Sequence, residues 1–212
     1  MGPWDIMSQH FVEKGKPPQG LSSFTKIRLG WIKKQQVQFV KPGETSFALL
    51  SPLSKGGDHL VVKVLADKWS HYLVENRQPV GFDKMLQDSG VLILEVHPDA
   101  EDGTGGVKVK SAISSPSFDQ ATYRLEVSNR NVFVDKQNNI SIIPLWKEKE
   151  DVGVLVTTPD RSKAAVSAAQ AIQKLMDHQN KGSENVIHEA IAAFKNKDYE
   201  RSYDIAIGKN GR

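Results

Sequence analysis

Cysteine is absent from this 212-residue chain. Its absence excludes disulfides, thiol nucleophiles and cysteine-ligated zinc together, although it does not decide a compartment. No apolar run approaches the roughly 18 residues that span a bilayer, and no basic segment followed by an apolar one is present, so neither a membrane span nor a signal peptide is read. Charge of one sign is lacking as well. The 28 basic and 25 acidic residues are well mixed, and a net charge of +3 creates no field that would select nucleic acid.

Metal-ligand and nucleophile patterns are equally scarce. A helical zinc site needs two histidines four apart with a glutamate between them, so that both imidazoles face one metal. His188-Glu189 begins that pattern, but Ala192 stands where the second histidine must fall. The other histidines, at 10, 59, 71, 97 and 178, offer no such pair, and no metal ligand is assigned. A Gly-x-Ser-x-Gly elbow is missing too. Gly103-Thr104-Gly105-Gly106, after Asp99, Glu101 and Asp102, lacks the Gly-Lys-Ser/Thr ending of a phosphate loop. A calcium reading there has acidic composition alone behind it, and a solvated hairpin loop is the better reading.

What is present is a 39% apolar content, enough to fill the core of one large domain or two small ones. The chain falls into three parts. Residues 8–20 read as loop, broken by Gly15, Pro17, Pro18 and Gly20. Ser22 or Ser23 then caps a short helix over 23–29, with Phe24, Ile27 and Trp31 at helical spacing and Gly30 as its stop.

From Gln36 to about Thr158 the period becomes that of strands. Runs at Val37-Phe39, Phe47-Leu50, Leu60-Val64, Tyr72-Glu75, Val91-Val96, Val107-Val109, Tyr123-Val127, Ile140-Ile143 and Val152-Val156 predict eight or nine strands. That count and spacing suggest an antiparallel sandwich-like or curled sheet. The last fifty residues are helical. Asp160 or Ser162 caps a first helix with Ala165, Ala168, Ala169, Ile172, Leu175 and Met176 on one face, ending near Lys181-Gly182. Ser183 caps a second with Val186, Ile187, Ala190, Ile191 and Phe194 inward, and a third places Tyr199, Tyr203, Ala206 and Ile207 on one side. The junction over 193–206 looks like that of a tetratricopeptide-type pair, but a single copy favours a plain helical hairpin or three-helix tail. The expected class is therefore α+β, with boundaries near 34/35 and 159/160.

One stretch does not fit a domain end. Gly2-Pro3-Trp4-Asp5-Ile6-Met7-Ser8 packs an aromatic, an aspartate and a methionine into one tight turn, where a terminus is ordinarily frayed and polar. The expectation is that the protein begins earlier than Met1. Trp4-Asp5-Ile6-Met7 and the helix end Thr25-Lys26-Ile27-Arg28-Leu29-Gly30-Trp31-Ile32 resemble the segment just after the zinc site in immune-inhibitor-A-like metallopeptidases, metzincin-type zinc endopeptidases. Tyr72-Leu73-Val74-Glu75-Asn76-Arg77-Gln78, Gly81-Phe82-Asp83 and Gly90-Val91-Leu92-Ile93 resemble the family's following segment, in the same order. Where the family continues with an aromatic, a histidine, a small aliphatic and an aspartate, this chain has Leu94, Glu95, Val96 and His97.

The resemblance implies that residues 1–34 are the methionine turn and exit helix of a catalytic domain, followed by a β-rich accessory domain over 35–159 and a helical tail over 160–212. Trp4, Asp5 and Met7 would form the methionine turn, with Met7 as a floor beneath histidines lying upstream. Glu75, Asn76, Arg77 and Asp83 would line a peptide groove or pin one domain to the other, and an ion-paired structural corner is equally compatible. Zinc would belong to the intact parent and not to this chain, the partner would be a protein or peptide substrate, and the setting would be extracellular or cell-surface. The alternative is a non-catalytic β-sandwich module for a protein or glycan. A truncated peptidase should leave Trp4, Met7, Phe24 and Trp31 as an apolar patch, whereas a module should bury them.

Overall fold

Period-two alternation divides the apolar side chains of the central region between two faces of each strand, and that division builds the layers. A computed structural model describes residues 1–8, 18–101, 103–115, 118–178 and 183–209. The expected breakers Gly15 and Pro17, His10, Asp102 and the helix end at Lys181-Gly182 lie outside them. Among the described residues there are nine strands: β1 (Val37–Val40), β2 (Ser46–Leu50), β3 (Val61–Leu65), β4 (His71–Arg77), β5 (Gly90–Val96), β6 (Val107–Val109), β7 (Phe133–Asp135), β8 (Ile140–Glu148) and β9 (Asp151–Thr157). The helices are α1 (Ser23–Arg28), α2 (Pro159–Asp177), α3 (Glu184–Lys195) and α4 (Tyr199–Ala206). The class is α+β.

The strands form two sheets, a five-stranded one in the order β1-β3-β4-β5-β6 and a four-stranded one in the order β2-β9-β8-β7. Val62, Val64, Tyr72, Val74, Val91 and Ile93 of the first sheet share a core with Leu50, Ile140, Ile142, Val152, Val154 and Val156 of the second. The opposite parity of the first sheet, Val61, Leu73, Leu92, Leu94 and Val96, packs with Trp4, Ile32 and Leu53. The opposite parity of the second, Ile143, Leu145 and Leu155, packs with Ala165, Ala168, Ile172, Ala190 and Phe194 of the helices. Each sheet is therefore covered on both faces.

Several expectations need correction. The pairing is not wholly antiparallel, because β1 runs parallel to β3 with Val37 opposite Val61. Tyr123-Val127 is not a strand: Tyr123 makes one isolated bridge to Val91, and the chain then turns, with Arg130 N–H donating to the Val127 carbonyl at 2.8 Å. The short β7, which no predicted run covers, forms an edge of the second sheet. Thr158, not Asp160 or Ser162, occupies the cap of α2, since Pro159 lacks an N–H and fits the first helical position. On α4 the buried residues are Tyr199, Ser202 and Ile205, while Tyr203 and Ile207 face outward.

At the start of β5 the chain crosses itself closely. Gly90 has φ +143°, and a Cβ there would stand 2.7 Å from the Tyr123 carbonyl oxygen and 3.0 Å from Thr122 Oγ1. Gly90→Ala is expected to lower stability by at least about 2 kcal/mol, through backbone strain plus overlap with a backbone atom that cannot move aside. Urea denaturation measures this, and an unchanged midpoint would contradict it.

Beside Lys63, the buried His71 of β4 has its pKa lowered to about 4, first by desolvation and then by the charge of that lysine. Its ordinary value is 6.5, so between pH 6.5 and about 4 the unfolded chain takes up a proton that the native one refuses. Stability therefore falls as pH drops through that window and levels off below it. His71→Gln should remove this part of the slope in urea titrations at stepped pH; an identical slope in both proteins would contradict the assignment.

Candidate functional site

The residues picked out by the turn and by the Glu75-Asn76-Arg77 run meet at one place, beneath the N-terminal segment on the outer face of the first sheet. Alternation along β4 explains how. Glu75 and Arg77 share the parity of Leu73 and point toward Trp4, whereas Asn76 shares the parity of Tyr72 and Val74 and points between the sheets.

Asp5 organises the turn. Its Oδ1 accepts from Met7 N–H at 2.9 Å, and its Oδ2 accepts from Ser22 N–H at 3.1 Å, Ser22 Oγ at 2.5 Å and Thr25 Oγ1 at 2.6 Å. A single buried carboxylate thus holds the turn, the cap residue and the first turn of α1. Ser22 in turn caps the helix, accepting from Thr25 N–H at 3.4 Å.

Arg77 is fully buried and holds the second half of the cluster. Its Nε and Nη2 donate to the two oxygens of Asp83, each at 2.8 Å, in the forked geometry that suits a guanidinium and a carboxylate. Nη1 donates to Glu75 Oε1 at 2.9 Å and to the Trp4 carbonyl at 2.8 Å, and the guanidinium lies 5.5 Å from the centre of the Trp4 ring. Burial alone would lower the Arg77 pKa; the charges of Glu75 and Asp83 outweigh it and hold the guanidinium above its ordinary value. Glu75 Oε2 accepts from Ser23 N–H at 2.7 Å, at the start of α1.

Asp83 Oδ1 also accepts from Gly20 N–H at 3.2 Å, an approach that requires glycine because a Cβ there would stand 2.6 Å from that oxygen. Lys26 reaches across to donate to the Leu53 carbonyl at 2.7 Å, its pKa lowered by burial and then by Arg77. Asn76 works on the other side of the strand, donating to the Leu50 carbonyl at 2.9 Å and the Glu150 carbonyl at 3.0 Å. It ties the first sheet to one end of the β2–β9 pair, where β2 stops and β9 begins.

Chemically, this arrangement fastens rather than binds. Glu75, Arg77 and Asp83 are buried, and their charged groups are spent on one another and on backbone groups of the N-terminal segment. None lines an open cavity in this chain. The methionine differs: Met7 is 76% exposed at the end of a turn whose backbone Asp5 immobilises, and Trp31 at 63% and Phe82 at 66% are also outward. Trp4 is buried at 1% and Phe24 is half-buried. The four side chains expected to behave alike therefore split, because Trp4 and Phe24 join the core against Leu73 and Leu92 while Met7 and Trp31 do not.

A second buried ionic node escaped the sequence reading. Asp88 Oδ2 accepts from Thr122 N–H at 3.0 Å, Thr122 Oγ1 at 2.7 Å and the Arg130 guanidinium, whose Nε donates to the Thr122 carbonyl at 2.8 Å. The partners are 42 residues apart, and no local pattern announces such a pair. Among the described residues no group of three or more histidines, aspartates or glutamates is placed to hold a metal ion, His188 and Glu189 lie on the exposed side of α3, and Gly103-Gly106 lies in the connection from β5 to β6. Among the described residues no helix is long and apolar enough to cross a membrane.

No family model, no curated protein and no solved structure matches the chain.

Proposed function

We propose that this chain is the C-terminal portion of a zinc-dependent metalloendopeptidase that hydrolyses peptide bonds in proteins, with the zinc-binding helix upstream of Met1. The observation that carries the reading is the outward Met7 on a turn pinned by Asp5. An exposed apolar side chain on a pinned backbone buries little surface within this chain, whereas beneath a packed zinc helix it would serve as a floor. The outward Trp31 and Phe82 and the resemblance of residues 2–95 support the same reading. In the intact parent, ligands upstream of this chain would hold zinc, which would supply Lewis-acid activation for peptide hydrolysis. What this chain's residues would do is position: Asp5 holds the turn, and Arg77 with Asp83 and Glu75 fixes the turn and α1 on the β-rich region. Extracellular or surface placement belongs to the same proposal.

The chain alone is expected to hold no stoichiometric zinc and to leave casein intact, and the full reading frame to hold one zinc and to cleave casein until chelated. Tight one-to-one zinc binding with chelator-sensitive cleavage by the chain alone would overturn the assignment. So would a full frame that does neither.

The burial of Trp4 in the chain's own core favours a second reading, an autonomous non-catalytic module with a sandwich-like pair of sheets that recognises a protein or glycan. Light scattering separates the two. Concentration-dependent association that Trp31→Ser reduces supports a face made for a missing neighbour, and a monomer at all concentrations supports the module.

A further inference from the structure

Charge replaces apolar side chains at one mouth of the inter-sheet core. On β5, Val91 and Ile93 belong to that core, and Glu95 is the next residue of the same parity. Lys108 of β6 is its direct cross-strand partner, and Lys110, of the same parity, places its ammonium 3.3 Å from Glu95. With Ser114, Tyr123 and Phe133 these residues line an open cleft of about 480 Å³.

The wall of this cleft is rich in donors. Tyr123 is buried at 6% exposure, and its hydroxyl has no hydrogen-bond partner among the described residues. Burial lifts its pKa to about 12, so it stays a donor near neutrality. Lys108 has no ionic partner among the described residues, and Glu95 already faces Lys110. Beneath lies an aromatic floor: Phe133 meets Tyr123 at 6.0 Å and Tyr72 at 5.1 Å, both edge to face, and the Tyr72 hydroxyl is taken by Asp135 at 2.7 Å. A lysine on an edge strand also discourages strand addition. That accounts for one charge, but not for two lysines and an unpartnered hydroxyl lining the same aromatic-floored cleft.

We propose that this cleft binds an organic carboxylate with an apolar body, its carboxylate held by Lys108, Lys110 and the Tyr123 hydroxyl and its body against Phe133. The chemistry is that of a free aromatic acid or of the terminal carboxylate of a peptide. Amide NMR shifts of the ¹⁵N-labelled chain, titrated with phenylacetate, N-acetylphenylalanine and N-acetylphenylalaninamide to about 10 mM, suit the weak affinity expected of so open a site. Shifts at Lys108, Lys110 and Tyr123 with the acids are expected, with at least about a fivefold weaker response to the neutral amide and in Lys108→Gln, since each loses a charge-assisted hydrogen bond. A comparable response to both acids identifies a free acid as the source, and a preference for N-acetylphenylalanine identifies a peptide terminus. Equal binding of the amide, no effect of Lys108→Gln, or shifts absent from the cleft would each overturn the proposal.

Discussion

Arg77→Ala is expected to destabilise the chain by about 3–5 kcal/mol, the usual consequence of removing one partner from a buried ionic cluster. The size follows from what is left behind. Without the guanidinium, Glu75 and Asp83 lose their cationic partner in a site closed to water, and the Trp4 carbonyl loses its donor. The N-terminal segment should loosen first, because Trp4, Gly20 and Ser23 reach the sheet through Arg77, Asp83 and Glu75 respectively. Urea denaturation gives the global loss, and limited proteolysis near residues 1–30 gives the local one. Arg77→Lys should recover little, since an ammonium cannot serve both Asp83 oxygens in the forked geometry. A loss below about 1 kcal/mol, the level of an exposed ion pair, would contradict the fastening role.

Trp146→Ala should have an effect of similar size at the opposite end of the molecule, about 3–5 kcal/mol for truncating a buried aromatic. Trp146 is fully buried on β8, stacked on Phe47 at 6.0 Å and edge-on to Phe194 of α3 at 5.1 Å. Phe194 in turn meets Tyr199 of α4 at 5.0 Å, so one indole joins the second sheet to two of the three tail helices. Its removal should therefore release the tail, seen as early cleavage within residues 159–209 and a separate low-temperature step in helical circular dichroism. Trp146→Phe keeps the aromatic contacts and should lose less. A single cooperative transition with an unchanged midpoint would contradict this linkage.

What the sequence made legible follows from the range of the interaction. The apolar runs at Val61-Val64, Val91-Val96 and Val152-Val156 became strands because alternation is local and both faces of each sheet are covered. The cap at Ser22 and the stop at Gly30, whose φ is +71°, were readable for the same reason. Tyr123-Val127 has the composition of a strand and turns instead, since Arg124 donates to the Ser89 carbonyl at 2.5 Å and Arg130 takes Asp88 and Thr122. Ser89 and Asp88 lie more than thirty residues upstream, beyond any local pattern. The parallel β1–β3 pairing and the three-residue β7 are invisible likewise, because neither periodicity nor propensity encodes which edge a strand joins.

The candidate site divides the same way. Glu75, Asn76, Arg77 and Asp83 are legible only through the resemblance of their segments to the peptidase family, and parity alone separates Asn76 from its neighbours. That Asp5 and Glu75 both close on the start of α1 depends on a fold-back that no spacing in the chain reports. Met7 reads as core by composition, yet it is outward, and this mismatch between residue type and environment is what the proposed upstream neighbour would resolve.

The reading frame immediately preceding the Met1 codon tests the central claim most directly. An uninterrupted frame encoding a His-Glu-x-x-His helix upstream of Trp4-Asp5-Ile6-Met7 is the expected result. A stop codon next to Met1, or a long upstream frame without such a pair of histidines, would contradict the metallopeptidase assignment.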